Sequence, residues 1–273
     1  MEKFLYKKSA GITALSASMT EFKYKKHAHK EYAIGVTLRG IQHYHIDGSL
    51  QLSHQNGVMF FNPEQVHDGM AHDKSGLDYV MLYIDTQMLL EGIGKKDIVR
   101  FSTPIVYDDR LGQRVVSLSQ AILGEKDEAL CCELFLSLTD SLMQTNLSSD
   151  DKSDDKKDSA IIRKAKDMIY GNLEHVLKLD EICTELDLSK YQFIRIFKAH
   201  TGISPYQYFL NCKVERAKQL IEKNRDIYSA VAACGFFDLT HLNKHFKSVY
   251  GTTALEYISH FSPIDQLSLK KSE

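Results

Sequence analysis

The sequence predicts an α+β chain in two parts, a small β-barrel or sandwich followed by an all-helical domain. Three observations lead there. Apolar residues alternate in short runs before residue 110 and fall on helical spacing after it. A polar stretch, LSSDDKSDDKKD, carries eight charges of mixed sign and nothing apolar after Leu147, so it buries nothing and divides the chain. Beyond it, capping residues and glycines recur as helix start and stop signals. A length of 273 residues suits two domains, each large enough for its own core. The expected limits are 1–147 for the first domain, 148–158 for a charged linker and 159–273 for the second.

In the first domain, Tyr32, Ile34, Val36 and Leu38 alternate with smaller or polar residues, as strand residues do. His43 to Ser53 reads as a hairpin turning at Asp47-Gly48, and Val58 to Asn62 and Leu77 to Asp85 continue the strand pattern. From Leu111 the period changes. Val115, Leu118 and Ile122, then after Gly124 Leu130, Leu134, Leu138 and Leu142, describe two amphipathic helices. Their stripes admit two readings, packing against the barrel or a dimer interface.

The second domain reads as helix throughout. Ile161, Ile162, Ala165, Met168 and Ile169 form one stripe, stopped at Gly171-Asn172. A short helix from Leu179 to Leu186 is followed by a turn at Asp187-Leu188-Ser189, and Ser189 caps Lys190 to His200, which ends at Thr201-Gly202. A longer helix starts at Pro205, a favourable first-turn position, and runs to about Lys223. The pattern then repeats. Asp226 caps Ile227 to Ala233, and Asp238 caps Leu239 to Tyr250, stopped by Gly251. Two helix-turn-helix units are thus joined by one helix.

Composition excludes several classes. With 43% hydrophobic and 26% charged residues, the chain is an ordinary globular one. No apolar run is long enough to span a bilayer, and residues 1–10 lack a signal-like apolar stretch, so a cytoplasmic protein with no membrane partner is expected. Five cysteines without a CxxC pair do not form a secreted disulfide framework and are expected to be reduced. The net charge of −2 argues against indiscriminate coating of nucleic acid, but it is polarised: residues from Ser159 onward carry +3 and the remainder −5.

A helix-turn-helix offers the outer face of its second helix to the major groove. In the first unit Phe193, Ile196 and Phe197 point inward, leaving Lys190, Tyr191, Ile194, Arg195 and Lys198 outside. In the second, Leu242, Phe246 and Val249 point inward, leaving Thr240, His241, Asn243, Lys244 and Lys247 outside. Arg and Lys suit guanine edges, Asn suits adenine, and apolar or hydroxyl groups suit thymine methyls.

Residues Leu179 to Tyr257, including SKYQFIRIFKAHTGISPYQYFLNCKVERAKQLI, then ACGF, then HLNKHFKSVYGTT, resemble the DNA-binding domain of the AraC/XylS family of bacterial transcription regulators. The resemblance implies base-reading roles for Tyr191, Ile194 and Arg195 in the first recognition helix and for Thr240, Asn243 and Lys244 in the second. It implies phosphate contacts for Lys198 and Lys247, with Lys190 on the same face, and reads Glu215-Arg216 as structural. Two positions depart from the family pattern: Leu242 stands where an aromatic is common, and Ala254 where proline is usual.

In the N-terminal half, His27-Ala28-His29 precedes the first strand and His67 follows the loop Asn62 to Val66, a spacing that can bring three imidazoles to one barrel mouth. Three neutral imidazoles can hold Zn²⁺ or Fe²⁺. This half resembles the cupin-like sensor domain of AraC-type regulators, which implies a cupin-like β-barrel (jelly roll) with flanking helices on its C-terminal side. The glutamate that metal-binding cupins carry just after HxH is missing, since Ala33 and Ile34 occupy that region and Glu31 falls too early. The expectation is therefore no required cofactor, a divalent metal being the lesser candidate. His27, His29 and His67 are expected to line a small-effector pocket, with Tyr32, Tyr44 and Tyr83 as aromatic walls.

The leading expectation is a regulator, not an enzyme, that binds double-stranded DNA as a homodimer under the control of a small-molecule effector. If it is an activator, RNA polymerase is a further partner. A cupin metalloenzyme, an oxygenase or isomerase built on His27, His29 and His67, is the alternative from another class. A helical protein-interaction bundle is a third.

Overall fold

The computed structural model describes residues 2–144, 147–149 and 156–261. The N-terminal domain opens with β1 (Lys3–Ser9), β2 (Ile12–Met19), β3 (Lys23–His27), β4 (Tyr32–Arg39), β5 (Gln42–Ile46), β6 (Ser49–Ser53), β7 (Val58–Phe61), β8 (His67–Ala71) and β9 (Leu77–Ile84). Helix α1 (Thr86–Gly92), short strands β10 (Val99–Phe101) and β11 (Ile105–Val106), and helices α2 (Asp109–Leu123) and α3 (Glu128–Leu142) follow. Strand β12 (Leu147–Ser149) pairs antiparallel with β10. Part of the expected linker lies outside the described residues; its flanks are β12 and α4 (Lys156–Tyr170).

A six-stranded sheet in the order β1-β2-β9-β4-β7-β11 faces a four-stranded sheet in the order β3-β8-β5-β6, and the pairings described within both are antiparallel. The hairpin between β5 and β6 pairs Ile46 with Ser49 across Asp47-Gly48, both at positive φ, the two-residue turn that matches strand twist. Strand β4 is central and buried on both faces, so its alternation separates two cores. Tyr32, Ile34 and Val36 point to an outer core roofed by α1, α2 and α3, whereas Ala33 points to the interior between the sheets. On α3, Leu138 and Leu142 are fully buried in that outer core, and Leu134 packs against it. The leucine stripe is therefore packing surface. The apolar residues α3 leaves in solvent are Leu130 and Leu136, with Met143 at its C-cap.

The C-terminal domain continues with α5 (Leu179–Leu186), α6 (Lys190–Thr201), α7 (Pro205–Asn224), α8 (Ile227–Ala233), α9 (Leu239–Tyr250) and α10 (Ala254–Ser259). Each boundary of α6 and α9 has a physical cause. Ser189 and Gln192 form a reciprocal capping box at the start of α6, Asp238 accepts from the His241 amide at the start of α9, and Gly202 and Gly251 close both helices in the left-handed conformation. Among the described residues no helix is long and apolar enough to cross a membrane.

The two domains share a core on one side only. Val214, Ala217, Phe246, Tyr250 and Tyr257 of α7, α9 and α10 merge with Tyr6, Leu15, Met19, Phe61 and Met81 of the barrel interior. The first helix-turn-helix unit keeps a separate core of Ile162, Ala165, Ile169, Phe193, Phe197 and Phe209.

Candidate DNA-reading helices and effector cavity

On α6, Phe193 and Phe197 are fully buried and stack edge to face with centroids 5.5 Å apart, which fixes the helix's rotation. That rotation exposes Lys190, Tyr191, Arg195 and Lys198 and leaves Ile194 half-buried between them. Tyr191 is 88% exposed, so its ring and hydroxyl are open to a partner on this face. Lys190 is paired with Asp180 of α5 at 2.6 Å, so part of its charge is spent within the unit.

On α9, Leu242 and Phe246 are fully buried, and Thr240, Lys244 and Lys247 are exposed or half-exposed on the outer face. Asn243 is half-buried, and its Oδ1 accepts from the Ala254 amide at 2.9 Å, holding the start of α10. A bidentate contact with adenine uses the same oxygen, so Asn243 would have to share it between the Ala254 amide and the base, one lone pair for each. The departure from proline at 254 is the cause, since only a residue with an N–H can make that bond. Leu242, the other departure, fills its buried place fully. Sequence reasoning missed Phe237, 92% exposed beside the α9 N-cap, whose amide donates to His241 Nδ1. Two consecutive aromatics, Phe236 and Phe237, are the signal: at this turn Phe236 is buried and its neighbour points out.

In the barrel, His27, His29 and His67 are all buried and their rings lie 4.5 to 5.3 Å apart. They line a cavity with Tyr83, Tyr24, Gln42, Phe61, Asp68, Tyr79 and Met81. Its free volume is about 20 Å³, about enough for one water. Two of the expected walls sit elsewhere. Tyr32 points to the outer core, where its hydroxyl donates to the Val99 carbonyl at 2.6 Å; β4 is buried on both faces, and Tyr32 lies on the one away from the cavity. Tyr44 lies behind Phe61, ring to ring at 5.1 Å, and Phe61 rather than Tyr44 meets the cavity.

Burial holds all three imidazoles neutral. The His27 pKa is lowered to about 4, and His29 and His67 are pushed well below the usual range, chiefly by desolvation and further by neighbouring imidazoles. His27 Nδ1 donates to the Lys25 carbonyl at 2.6 Å and His67 Nδ1 to the Gln65 carbonyl at 2.9 Å, so both carry their lone pair on Nε2, and that of His27 accepts from His29. His29 Nε2 is 3.1 Å from His27 Nε2. One nitrogen from each ring comes within 4.8 Å of the others, so the donor set fits a divalent metal as well as a polar effector.

Glu31 does not join this set. It turns to Lys218 of α7, 3.2 Å away, and Glu215 lies 3.8 Å from the same ammonium while accepting from the Tyr250 hydroxyl at 2.6 Å. Burial works against the Lys218 charge, but Glu215, Tyr250, Tyr257 and Glu31 outweigh it and hold its pKa well above the ordinary value. His29, Glu31 and Glu215 lie close enough to hold a cation, and the ammonium already serves as one. Tyr250 also approaches His29, ring centroids 6.4 Å apart, so the cavity wall and the second unit touch.

Comparison with known proteins agrees with both halves. Residues 182–260 match the helix-turn-helix domain model and residues 9–139 the AraC-like ligand binding domain model. The uncharacterized HTH-type transcriptional regulator YbfI of Bacillus subtilis is 26% identical over 229 residues, 81% of this chain and 82% of that protein. The HTH-type transcriptional regulator ArgR of Pseudomonas aeruginosa is 31% identical over 90 residues, 33% of this chain and 27% of that protein. By fold, unsaturated fatty acid bound wild-type ToxT from Vibrio cholerae superposes with a TM-score of 0.56 at 13% identity, covering 92% of this chain and 96% of that one. With a ligand-binding domain of the AraC-like type and a paired helix-turn-helix domain in one chain, this protein belongs to the AraC family of DNA-binding, effector-responsive transcription regulators.

Proposed function

We propose that α6 and α9 read successive major-groove segments and that the histidine-lined cavity takes the effector. The observation that carries this is the matched pair of capped helices, each holding buried aromatic or aliphatic residues inward and a basic face outward. Tyr191, Ile194 and Arg195 read bases from the first helix, and Thr240, Asn243 and Lys244 from the second, Asn243 also holding the start of α10. Lys198 and Lys247 position the protein on phosphates, as does Lys190 once it leaves Asp180.

The effector is a small polar molecule whose donors or acceptors meet His27, His29, His67 and Tyr83. The cavity's small volume means that it enters by displacing side chains such as Tyr83 and Phe61. Its control over DNA binding requires different affinities for two arrangements of the domains, and Glu31, Lys218 and Tyr250 lie where those arrangements would differ. The same three imidazoles also fit a divalent metal, which would offer a hydroxylated or anionic effector a coordination position. Because Glu31 faces Lys218 rather than the cavity, the set is read as a sensor, not an enzyme. The exposed Leu136, 57% accessible, with Met143 and Cys132 on the outer face of α3, provides the homodimer contact, and the protein works in the cytoplasm beside RNA polymerase if it activates.

Selecting genomic fragments with purified protein at fixed salt, beside an Arg195→Ala/Lys244→Ala control, tests the DNA assignment. A shared site is expected that vanishes in the control, each substitution costing about 1–3 kcal/mol on that site. Lys247→Ala weakens binding to all sequences. Equal loss on selected and random DNA for all three would remove the base-reading roles. Leu136→Glu is expected to halve the mass in sedimentation, and an unchanged mass would move the dimer contact elsewhere.

A further inference from the structure

We propose that strand β3 of the sensor barrel is itself part of the DNA interface, with Lys23 and Lys25 holding a phosphate strand against the flank of the second recognition helix. The inference rests on α9 being a DNA-reading helix. Strand β3 packs against α9, and between them runs an open groove of about 450 Å³. Lys23 and Lys25 form one wall, two residues apart on one strand and so about 7 Å from each other. Lys244 and Lys247 form the other, three residues apart on one helix face and about 5–6 Å from each other.

Among the described residues no carboxylate lines this groove. Of the acids behind it, Glu2 accepts from the amides of Thr20, Glu21 and Phe22, and Glu256 accepts from Thr252 and Thr253 while also attracting Lys247 from outside the groove. Among the described residues none of the four lysines has an ion-pair partner. The fields of the two walls overlap, for His245 is held below its usual pKa by burial, by His241, and by Lys25 and Lys244 together. Four like charges around one groove repel one another, less so where solvent screens them, and an anion lying between them relieves that repulsion. A DNA strand running beside α9 is such an anion, and it accounts for paired lysines at phosphate-like spacing on a barrel whose own domain is net acidic. The other possible use of this contact, β3 covering α9 and excluding DNA, is an outcome of the test.

The test uses the full chain and a mixed-sequence duplex of about 30 base pairs, with Kd measured at several salt concentrations. Lys23→Gln/Lys25→Gln is compared with Lys95→Gln/Lys96→Gln, which removes the same charge from an exposed loop outside the groove, and with Lys244→Gln. The expected result is a salt-dependence slope reduced by about 2 and binding weakened about tenfold near physiological salt for the β3 pair, with little change for the loop pair. Loss in Lys244→Gln with no loss in the β3 pair overturns the proposal and leaves α9 as a reading helix. Tighter binding by the β3 pair overturns it in favour of a shielding role. No loss in either variant removes both assignments.

Discussion

The two helix-turn-helix units are built alike and attached differently. Both have a side-chain N-cap, a buried pair on the second helix and a left-handed glycine at its end. The first unit closes its own core and meets the barrel through surface contacts: Lys166 to Glu64, Lys30 to Tyr170, and Gly202 beside Val66. The core of the second is continuous with the barrel; Phe246, Tyr250 and Tyr257 complete the apolar interior that also walls the histidine cavity. The cavity is therefore joined to α9 through packed atoms, and to the first unit through α7 and those surface contacts.

The largest expected effect breaks that shared core. Phe246→Ala removes a fully buried ring packed against Tyr250 and Tyr257, at about 3–5 kcal/mol. Phe197→Ala removes an equally buried ring from the first unit at similar cost. Hydrogen exchange should separate them: Phe246→Ala lowers protection in the barrel strands as well as in α9, whereas Phe197→Ala lowers it in α4 to α6 and the first turns of α7 but not in the barrel. Barrel protection unchanged by Phe246→Ala would mean that the cores are adjacent but independent.

Next comes the charge that ties the second side together. Lys218→Met leaves the Glu31 and Glu215 carboxylates facing each other without their cation, at about 3–5 kcal/mol in denaturant unfolding. The matching contact of the first unit, Lys166 with Glu64, has both partners partly in solvent, and Lys166→Met should cost less than about 1 kcal/mol. Equal costs would contradict the asymmetry.

How legible these features are in the sequence follows from how local their causes are. Caps, glycines and the Asp47-Gly48 turn act over a few residues, so the helical domain and the hairpin can be read directly. Strands β1 and β3 give no such signal, because lysines dominate LYKKS and KYKKH and their apolar partners lie elsewhere in the chain. The three histidines are found by spacing, but the side on which Tyr32 lies is not, because a strand buried on both faces does not announce which face is inside. The junction of barrel and second unit has no local signature at all. Tyr6, Glu31 and Lys218 meet their partners only through folding.

Acid should sharpen the comparison from the cavity side. The imidazoles of His27, His29 and His67 are neutral in the folded chain with lowered pKa values, while the unfolded chain protonates near 6.5. Between those values the unfolded state binds protons that the folded state refuses, so stability is full above about pH 6.5 and falls as pH drops toward 4. For His27, whose folded value is about 4, the loss is roughly 3 kcal/mol. In a His27→Gln variant the pH slope of unfolding free energy over this window should be shallower by about one proton. An unchanged slope would mean that His27 is protonated in the folded protein.

The smallest effect is the most discriminating, because it uses equivalent positions in the two units. Gly202 ends α6 at φ +76° and Gly251 ends α9 at φ +74°, so an alanine at either carries the left-handed strain of about 1–2 kcal/mol. Their surroundings differ. A Cβ at 202 meets Val66 at 3.7 Å, an ordinary contact, while one at 251 lies 2.6 to 2.7 Å from the ring of Phe4, which is wedged edge to face against Phe22 and Tyr24. Gly202→Ala should therefore show the backbone strain alone and leave the barrel undisturbed. Gly251→Ala should cost more than Gly202→Ala and shift the resonances of Phe4, Phe22 and Tyr24, the aromatics that flank α9. If the two alanines cost the same and neither reaches those aromatics, the second unit is no more tightly joined to the barrel than the first.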